Sequence, residues 1–214
     1  MSKVYFVSGI DTDAGKTYVT GYIARQLMER GKRVITQKFI QTGNQEWSED
    51  IEVHRRIMGT GMLPEDLDHT TAPVIFSYPA SAQLAARIDG REIDLDIIDR
   101  ATERLASLYD IVLVEGAGGL AVPITDTFMA IDYVASRHLP VILVTNGVLG
   151  SINHTVLSLE AIRSRDIELA AVLYNEHFDR DATIAADTRG FIERYVARNF
   201  PEARFEIIPS VKAD

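Results

Sequence analysis

Short apolar runs alternate with helical patterns along this chain, and that alternation limits its possible folds more than any other feature. The runs are rich in Val, Ile and Leu, as expected of strands buried on both faces of a parallel sheet. They lie at residues 4–8, 33–38, 111–115, 141–145, 169–174 and 205–208. Helices are predicted at residues 16–30, 50–58, 95–108, 130–138, 151–163 and 182–199. The pattern predicts an α/β fold with a doubly wound, mostly parallel sheet and helices on both faces.

The length of 214 residues favours one domain over residues 1–214. Hydrophobic residues make up 46% and charged residues 25%, which excludes a disordered, collagen-like or coiled-coil chain. The least regular stretch is 59–90. We expect it to be a long excursion over the sheet rather than a domain boundary.

The charge balance and the missing cysteines exclude several classes of function. The net charge of −9 argues against nucleic acid as a partner, since phosphate-backbone binding needs clustered Lys and Arg. Zero cysteines exclude disulfides, thiolate zinc sites and a cysteine nucleophile. No stretch approaches the roughly 18–20 apolar residues of a membrane span, and the first apolar run is too short for an export signal. We therefore expect a cytoplasmic protein that does not bind membranes.

A phosphate-binding loop follows the first predicted strand. It reads Gly9-Ile10-Asp11-Thr12-Asp13-Ala14-Gly15-Lys16-Thr17, with five residues between the outer glycines instead of the usual four. Backbone N–H groups of such a loop, together with a helix N-terminus, form a concavity for phosphate oxygens. Lys16 can reach the β- and γ-phosphates, and the Thr17 hydroxyl can bind Mg²⁺. The fold is thus P-loop NTPase-like.

The loop motif has one alternative interpretation and one unusual feature. The alternative is an ordinary strand–turn–helix junction that contains Gly-Lys-Thr by chance. Asp11 and Asp13 also repel a polyphosphate unless a metal, a lysine or a substrate ammonium lies close to them. Their presence indicates that the loop does more than hold a nucleotide.

Two carboxylates are candidates for holding a metal. Glu115 is predicted to end a buried strand, before the glycine-rich segment 116–119. A carboxylate at that edge suits an octahedral Mg²⁺ that keeps several waters. Asp50 begins a predicted helix after a polar loop. The alternatives are that 116–119 is only a tight turn and that Asp50 is only a helix cap or first-turn acid.

Lys38 ends the second predicted strand, at the same edge of the sheet. A lysine there could simply reach solvent. Beside a phosphate loop and a metal carboxylate, it is a positive group aimed at a transferring phosphoryl group or a second substrate. Thr42, four residues further on, could complete that pocket.

With these residues assembled, the chain resembles the dethiobiotin synthetase family. The resemblance covers most of the chain. The residues that carry it are 9–17, Lys38, Thr42-Gly43, Asp50, 115–120, Pro123, Asp126-Thr127-Phe128, 139–144, Leu149-Gly150, Ile152-Asn153-His154, Asn175 and Ile208-Pro209.

The resemblance implies an ATP- and Mg²⁺-dependent cyclo-ligase. In the family, an amine of 7,8-diaminopelargonate captures CO₂ as a carbamate, which attacks the γ-phosphate of ATP. The second amine then closes the ureido ring and phosphate leaves. The resemblance also implies a homodimer with active sites near the subunit interface.

Site residues follow by matching motifs. The catalytic residues implied are Lys38, Lys16 and Thr12, and the implied metal ligands are Thr17, Asp50 and Glu115. The implied nucleotide-binding residues are Asp13, Ala14, Gly15, Lys16, Thr17, Tyr18, Asp50, Glu115, Gly116, Ala117, Gly118, Asn175, Ile208, Pro209 and Ser210. The implied substrate-binding residues are Thr12, Lys38, Thr42, Gly118, Gly150, Ser151 and Asn153, where 150–153 would receive the substrate carboxylate from the other subunit. Asn175 matches an adenine-binding position, although a turn asparagine in the left-handed conformation is the alternative.

The chain departs from the family pattern at three places. Phe39 stands where the family commonly has Pro, and Ser81-Ala82-Gln83 stands where it often has Ser-Pro-His. The tail beyond Ser210 is short.

Two other classes of ATP-dependent protein share parts of this pattern. Partition-type dimeric switch ATPases use a related sheet, but they carry an additional lysine near the start of the loop, where this chain has Ser8-Gly9-Ile10-Asp11. The amidating synthetases of corrinoid assembly add a glutaminase domain with a nucleophilic cysteine. This chain has neither that length nor any cysteine.

Overall fold

The computed structural model describes residues 2–210, which contain eight strands and eight α-helices. The strands are β1 (Lys3–Gly9), β2 (Val34–Lys38), β3 (Gln41–Thr42), β4 (Ile75–Phe76), β5 (Ile111–Gly119), β6 (Val141–Asn146), β7 (Leu169–Asn175) and β8 (Arg204–Ile208). The helices are α1 (Lys16–Glu29), α2 (Glu49–Met58), α3 (Pro64–Leu67), α4 (Ala82–Ile88), α5 (Leu95–Leu108), α6 (Ala130–Ser136), α7 (Ser151–Arg163) and α8 (Ala182–Asn199). The sequence prediction of an α/β chain is confirmed.

Six strands form one parallel sheet in the order β2-β5-β1-β6-β7-β8. The chain winds outward from β1 in both directions, since its two neighbours β5 and β6 come later in the sequence. Ligands in open α/β sheets bind beyond the carboxyl ends of the strands at such a switch point. The loop after β1 therefore occupies the expected position for a phosphate site.

Helices cover both faces of the sheet, as predicted. One apolar cluster contains Val7 and Leu113 of the sheet and Val19 of α1. The other contains Phe6 of the sheet and Ile98 of α5, together with residues of α6, α7 and α8. Because successive side chains of a strand point to opposite faces, the neighbours Phe6 and Val7 belong to different clusters.

The prediction that the third long strand ends at Glu115 is wrong. β5 continues through Gly119, which lies opposite Gly9 after a register shift in β1. The glycines allow the strand to pass close to its neighbour: a Cβ on Gly116 would lie 2.9 Å from the Phe6 ring. The tight-turn alternative for 116–119 is therefore excluded, and Glu115 lies inside the strand.

Residues 59–90 are more regular than the sequence predicts. They contain α3, β4 and α4, and β4 pairs in parallel with β3. This pairing places Phe76 opposite Thr42, so the excursion returns beside a predicted substrate residue. The predicted short tail beyond Ser210 lies outside the described residues. Over residues 2–210, no helix is long and apolar enough to span a bilayer.

Candidate active site

The phosphate loop connects β1 to α1 through a tight, glycine-dependent path. The Asp11 carboxylate accepts a 2.6 Å hydrogen bond from the Thr12 amide at the start of a 3₁₀ turn, Thr12–Ala14. Gly15 is the N-cap residue of α1 and has φ +83°, in the left-handed region. The first amides of a helix have no helical acceptors, so those of α1 are available to bind phosphate.

Lys16 folds back over this loop. Its Nζ donates to the carbonyl oxygens of Asp11 and Thr12 at 3.0 and 3.1 Å, and the side chain is almost fully buried. Burial lowers the pKa of Lys16 to about 8, although the Glu115 carboxylate opposes that shift. A lysine in this position is ready to exchange carbonyl contacts for phosphate oxygens.

Three oxygen-bearing side chains converge beside the loop. Thr17 Oγ1 lies 2.8 Å from Asp50 Oδ1 and 3.1 Å from Glu115 Oε1. Ser48 is the N-cap of α2, since its Oγ accepts from the Ile51 amide, and Asp50 lies in the first turn. The N-cap alternative for Asp50 is therefore excluded.

The chemistry of this donor set fits Mg²⁺. The cation prefers hard oxygen ligands, takes one or two carboxylates, and completes its octahedron with water and substrate phosphates. Among residues 2–210, no group of three or more His, Asp or Glu side chains forms a metal-binding cluster. Two carboxylates and a hydroxyl are too few ligands to complete an octahedron. They are the set expected for a magnesium that also binds a nucleotide.

Lys38 is the cation at the centre of this group. Its Nζ donates to Glu115 Oε1 at 2.8 Å and to the Gly116 carbonyl at 3.2 Å, and it also pairs with the Asp50 carboxylate. Only 5% of the residue is exposed, so the alternative that Lys38 simply reaches solvent is excluded.

The lysine and the buried glutamate each keep the other charged. Burial alone would lower the pKa of Lys38, but Glu115 and Asp50 raise it above its usual value. Burial alone would raise the pKa of Glu115, but the Lys38 ammonium and the contact with His54 hold it well below its usual range. The Lys38–Glu115 pair is therefore an ammonium facing a carboxylate at neutral pH.

A cleft opens beside this charged group. Its lining combines three predicted substrate residues, Thr12, Thr42 and Gly118, with the apolar Val122 and with Ala82. Its volume is about 470 Å³. The departure from the family pattern at Ala82 thus lies on the wall of this cleft, and a mixed polar and apolar lining suits a polar group on a hydrocarbon chain.

On the other side of the loop, five predicted nucleotide residues lie near one another. Asn175 pairs with Ile208 across β7 and β8, and the Tyr18 hydroxyl donates to the Pro209 carbonyl at 3.1 Å. Ser210 Oγ lies 3.3 Å from a ring nitrogen of His177.

Asn175 also supports the phosphate loop directly. Its Nδ2 donates to the Ala14 carbonyl at 3.3 Å, and its Oδ1 accepts from the His177 amide at 3.1 Å. Its backbone has φ −90°, so the alternative of a left-handed turn asparagine is excluded. One N–H and one lone pair of the amide remain for a ligand.

The predicted carboxylate segment lies at the start of α7. Gly150 has φ +103° and precedes the helix, Ser151 is buried, and Asn153 is exposed. The Asn146 side chain accepts from Ser151 Oγ, which ties the segment to β6. Within the described residues, none of the hydrogen bonds of 150–153 reaches Lys38 or Thr12.

Sequence reasoning missed His54. This fully buried residue places Nε2 2.8 Å from Glu115 Oε2. A signal was available, since His54 lies four residues after Asp50 and residues i and i+4 share one face of a helix.

Comparison with known proteins decides the family. A family model described as an AAA domain matches residues 3–210. The ATP-dependent dethiobiotin synthetase BioD 2 of Pasteurella multocida (strain Pm70) is 45% identical over 208 residues, covering 97% of this chain and 98% of its own length. The chain belongs to the dethiobiotin synthetase family. Two further synthetases of that family, from Haemophilus influenzae and Chlorobaculum tepidum, are 51% and 50% identical and are covered over 95% and 84% of their lengths.

Solved structures support the fold. The chain is similar to pNOB8 ParA bound to nonspecific DNA, with a TM-score of 0.58, 15% identity, and coverage of 98% of this chain and 86% of that one. A ParA family ATPase from Chlorobium tepidum gives a TM-score of 0.56, 17% identity, and coverage of 98% and 84%. At such identities the likeness establishes a P-loop NTPase-like fold and nothing more about function. In this dethiobiotin synthetase family member, the loop, Lys38, Asp50 and Glu115 lie close together.

Proposed function

We propose that this protein converts 7,8-diaminopelargonate, CO₂ and Mg·ATP into dethiobiotin, ADP and phosphate. The observation that carries the proposal is the pairing of Lys38 with Glu115 and Asp50 between the phosphate loop and the cleft of Thr12, Thr42 and Gly118. A phosphoryl donor on the loop and an acceptor in the cleft would meet at this lysine.

The reaction begins when one amine nitrogen of the diamine attacks CO₂ and loses a proton, which forms a carbamate. A carbamate oxygen then attacks the γ-phosphorus, and the bond to the bridging oxygen breaks so that ADP leaves. The product is a carbamic-phosphoric anhydride. The second amine attacks its carbonyl carbon, the C–O bond to phosphate breaks, and the ureido ring closes with loss of a proton.

Lys38 serves the step in which two anions meet. Phosphoryl transfer depends mainly on positioning and charge neutralisation, because the transition state needs little covalent help from the protein. The ammonium would neutralise the carbamate and the transferring phosphoryl group. Lys16 and the amides of Gly15 and Thr17 would hold the phosphates, with Asp13, Ala14 and 116–118 around them.

Thr17, Asp50 and Glu115 would hold Mg²⁺, which supplies charge neutralisation for the phosphate oxygens when it is bound. Thr12 and Thr42 would orient the diamine in the cleft, and Gly118 would allow it to approach the backbone. Tyr18, Asn175 and the turn of Ile208, Pro209 and Ser210 would bind the adenosine part of ATP.

We further propose that the protein acts as a homodimer with its sites near the interface. Gly150, Ser151 and Asn153 would receive the substrate carboxylate in the site of the partner subunit, because they lie at the N-terminus of α7, where an anion is favoured. Exposed apolar residues flank this segment: Leu149 and Leu157 are 82% and 61% exposed. An interface would bury them. Residues 1–214 form one catalytic domain in this proposal, and the protein works in the cytoplasm.

The experiment that tests the reaction uses [¹³C]bicarbonate with the purified protein, Mg·ATP and the diamine. Mass spectrometry should find dethiobiotin with one ¹³C in the ureido carbonyl, formed only when all three substrates are present. Phosphate release without a labelled ureido product would contradict the proposal.

A further inference from the structure

We propose that His54 is a positioning residue that orients the Glu115 carboxylate towards magnesium. The inference rests on the proposed function in one respect only, which is that Glu115 binds the metal. No other described residue contacts Oε2 of that carboxylate by a hydrogen bond, whereas Oε1 faces Lys38 and Thr17.

The two oxygens of Glu115 therefore have separate partners. His54 Nε2 lies 2.8 Å from Oε2, and Lys38 Nζ lies 2.8 Å from Oε1. Both the histidine and the glutamate are fully buried, so water does not replace either contact. Rotation of the carboxylate about its terminal bond would break both contacts at once, which leaves Oε1 as the oxygen available to the metal.

The neighbours of His54 determine which ring nitrogen carries a proton. Nδ1 lies 3.0 Å from Thr36 Oγ1, and that oxygen also accepts a 2.8 Å hydrogen bond from Arg55 Nη1. Nε2 faces a carboxylate, which only accepts hydrogen bonds, so Nε2 must carry a proton. The contact between Nδ1 and the Thr36 hydroxyl fixes the orientation of the ring.

Asp66 holds Arg55 in place. Its guanidinium makes a buried, two-pronged ion pair with Asp66, at 2.8 Å for each hydrogen bond, and Asp66 also accepts from the Leu63 amide at 2.7 Å. The connected polar contacts run from Asp66 through Arg55 and Thr36 to His54, and end on Glu115. This chain of contacts joins α3, β2, α2 and β5, so the histidine is held on both sides.

A histidine that donates to a ligating carboxylate belongs to the outer shell of a metal site. Such groups orient the ligand and raise its affinity for the metal, and their loss costs roughly 10–100-fold in metal affinity or activity. We therefore expect the loss of the His54–Glu115 contact to raise the dissociation constant for the metal and to leave the melting temperature nearly unchanged.

Two substitutions of His54 test the contacts of its two ring nitrogens separately. His54→Gln places an amide N–H near the position of Nε2, so it keeps the donor to Glu115. His54→Asn places its amide near the position of Nδ1, so it keeps the contact with Thr36 and loses the one with Glu115. The pair is matched in polarity, and both variants leave Lys38, Asp50 and Thr17 unchanged.

The measurement is Mn²⁺ binding to the full chain in the presence of ADP, followed by the electron paramagnetic resonance signal of free Mn²⁺. No diamine is present, so the result does not depend on turnover. His54→Asn should raise the dissociation constant for Mn²⁺ about 10–100-fold. His54→Gln should stay within about threefold of the parent protein, and both should melt at similar temperatures.

The proposal is overturned if His54→Asn binds Mn²⁺ like the parent, or if both variants weaken binding equally. Should His54→Asn fail to fold, His54→Met provides the second test, since its thioether has a similar length but no N–H to donate to Glu115. Mn²⁺ affinity like that of the parent in His54→Met would then overturn the proposal. A protein that makes no dethiobiotin but shows the Asn–Gln difference would support the role of His54 and refute the proposed reaction.

Discussion

Lys38 and Glu115 lie opposite each other on the neighbouring strands β2 and β5, and the lysine Nζ donates to Glu115 Oε1 at 2.8 Å. Parallel pairing thus brings together two residues that are 77 positions apart in the sequence. Asp50 and Lys16 complete a site with two carboxylates and two ammonium groups. In such a site the ammonium groups can neutralise phosphate oxygens while the carboxylates face the magnesium.

Replacing Lys38 with Met should lower turnover on the order of 10²-fold, because an ammonium that stabilises transition-state charge is lost. The Met side chain keeps much of the volume, so the fold and Mg·ATP binding should persist. Steady-state phosphate release and isothermal titration with Mg·ADP measure the two effects. Lys32→Met is the matched control, since Lys32 is exposed and precedes β2, at the opposite end of the strand from Lys38. Turnover close to that of the parent would remove Lys38 from the catalytic group.

The lowered pKa of Lys16 predicts that nucleotide binding takes up protons in mildly alkaline solution. The pKa is about 8 in the free protein, so the side chain is largely neutral at pH 9. Bound phosphates favour the ammonium form and raise that pKa. Affinity for ADP should therefore fall as the pH rises through about 8.

Calorimetric titrations of ADP at pH 9, in buffers of different ionisation enthalpy, measure that proton uptake. Lys16→Arg provides the control because a guanidinium stays protonated throughout this range. Equal proton uptake in the parent and in Lys16→Arg would show that another group titrates.

Gly15→Ala should abolish nucleotide binding. Gly15 has φ +83°, and an added Cβ would collide with the Asn175 side chain that supports the loop. Gly31→Ala is a matched control: Gly31 has φ +78°, but its Cβ would meet nothing within 4 Å. Left-handed backbone strain should cost each variant about 1–2 kcal/mol of stability, measured by urea unfolding. Gly15→Ala should lose more than Gly31→Ala because of its collision with Asn175. Nucleotide binding that is lost equally in both variants would show that strain alone explains the effect.

The dimer proposal predicts a two-subunit particle by light scattering. Leu157→Asp should produce monomers and raise KM for the diamine, because the exposed Leu157 flanks the segment proposed to cross the interface. Leu67→Asp is the control, since Leu67 is similarly exposed but lies on α3. A fully active monomer would contradict a carboxylate site shared between subunits.

Much of the fold follows from the sequence because buried parallel strands carry a strong local signal. The ends of several elements follow too, as with α7, which begins at Ser151 as predicted. The elements within residues 59–90 are harder to predict from the sequence, since α3, β4 and α4 are short and form through tertiary contacts. Gly116 to Gly119 mislead for a related reason: glycines usually interrupt a strand, and here they allow it to pass close to Phe6.

The sequence likewise predicts some residues of the site and misses others. Gly15, Lys16 and Thr17 are adjacent in a motif, so sequence reasoning finds them. His54 gave only a weak signal, because a histidine in a helix is more often a packing residue. Its contact with Glu115 depends on how α2 packs against the sheet, which the sequence pattern does not specify.

The most direct test of the central claim is phosphate release from Mg·ATP and bicarbonate, measured with and without 7,8-diaminopelargonate. The account predicts that release depends on the diamine and matches dethiobiotin formation one to one. ATP hydrolysis at the same rate without the diamine, and with no ureido product, would contradict it.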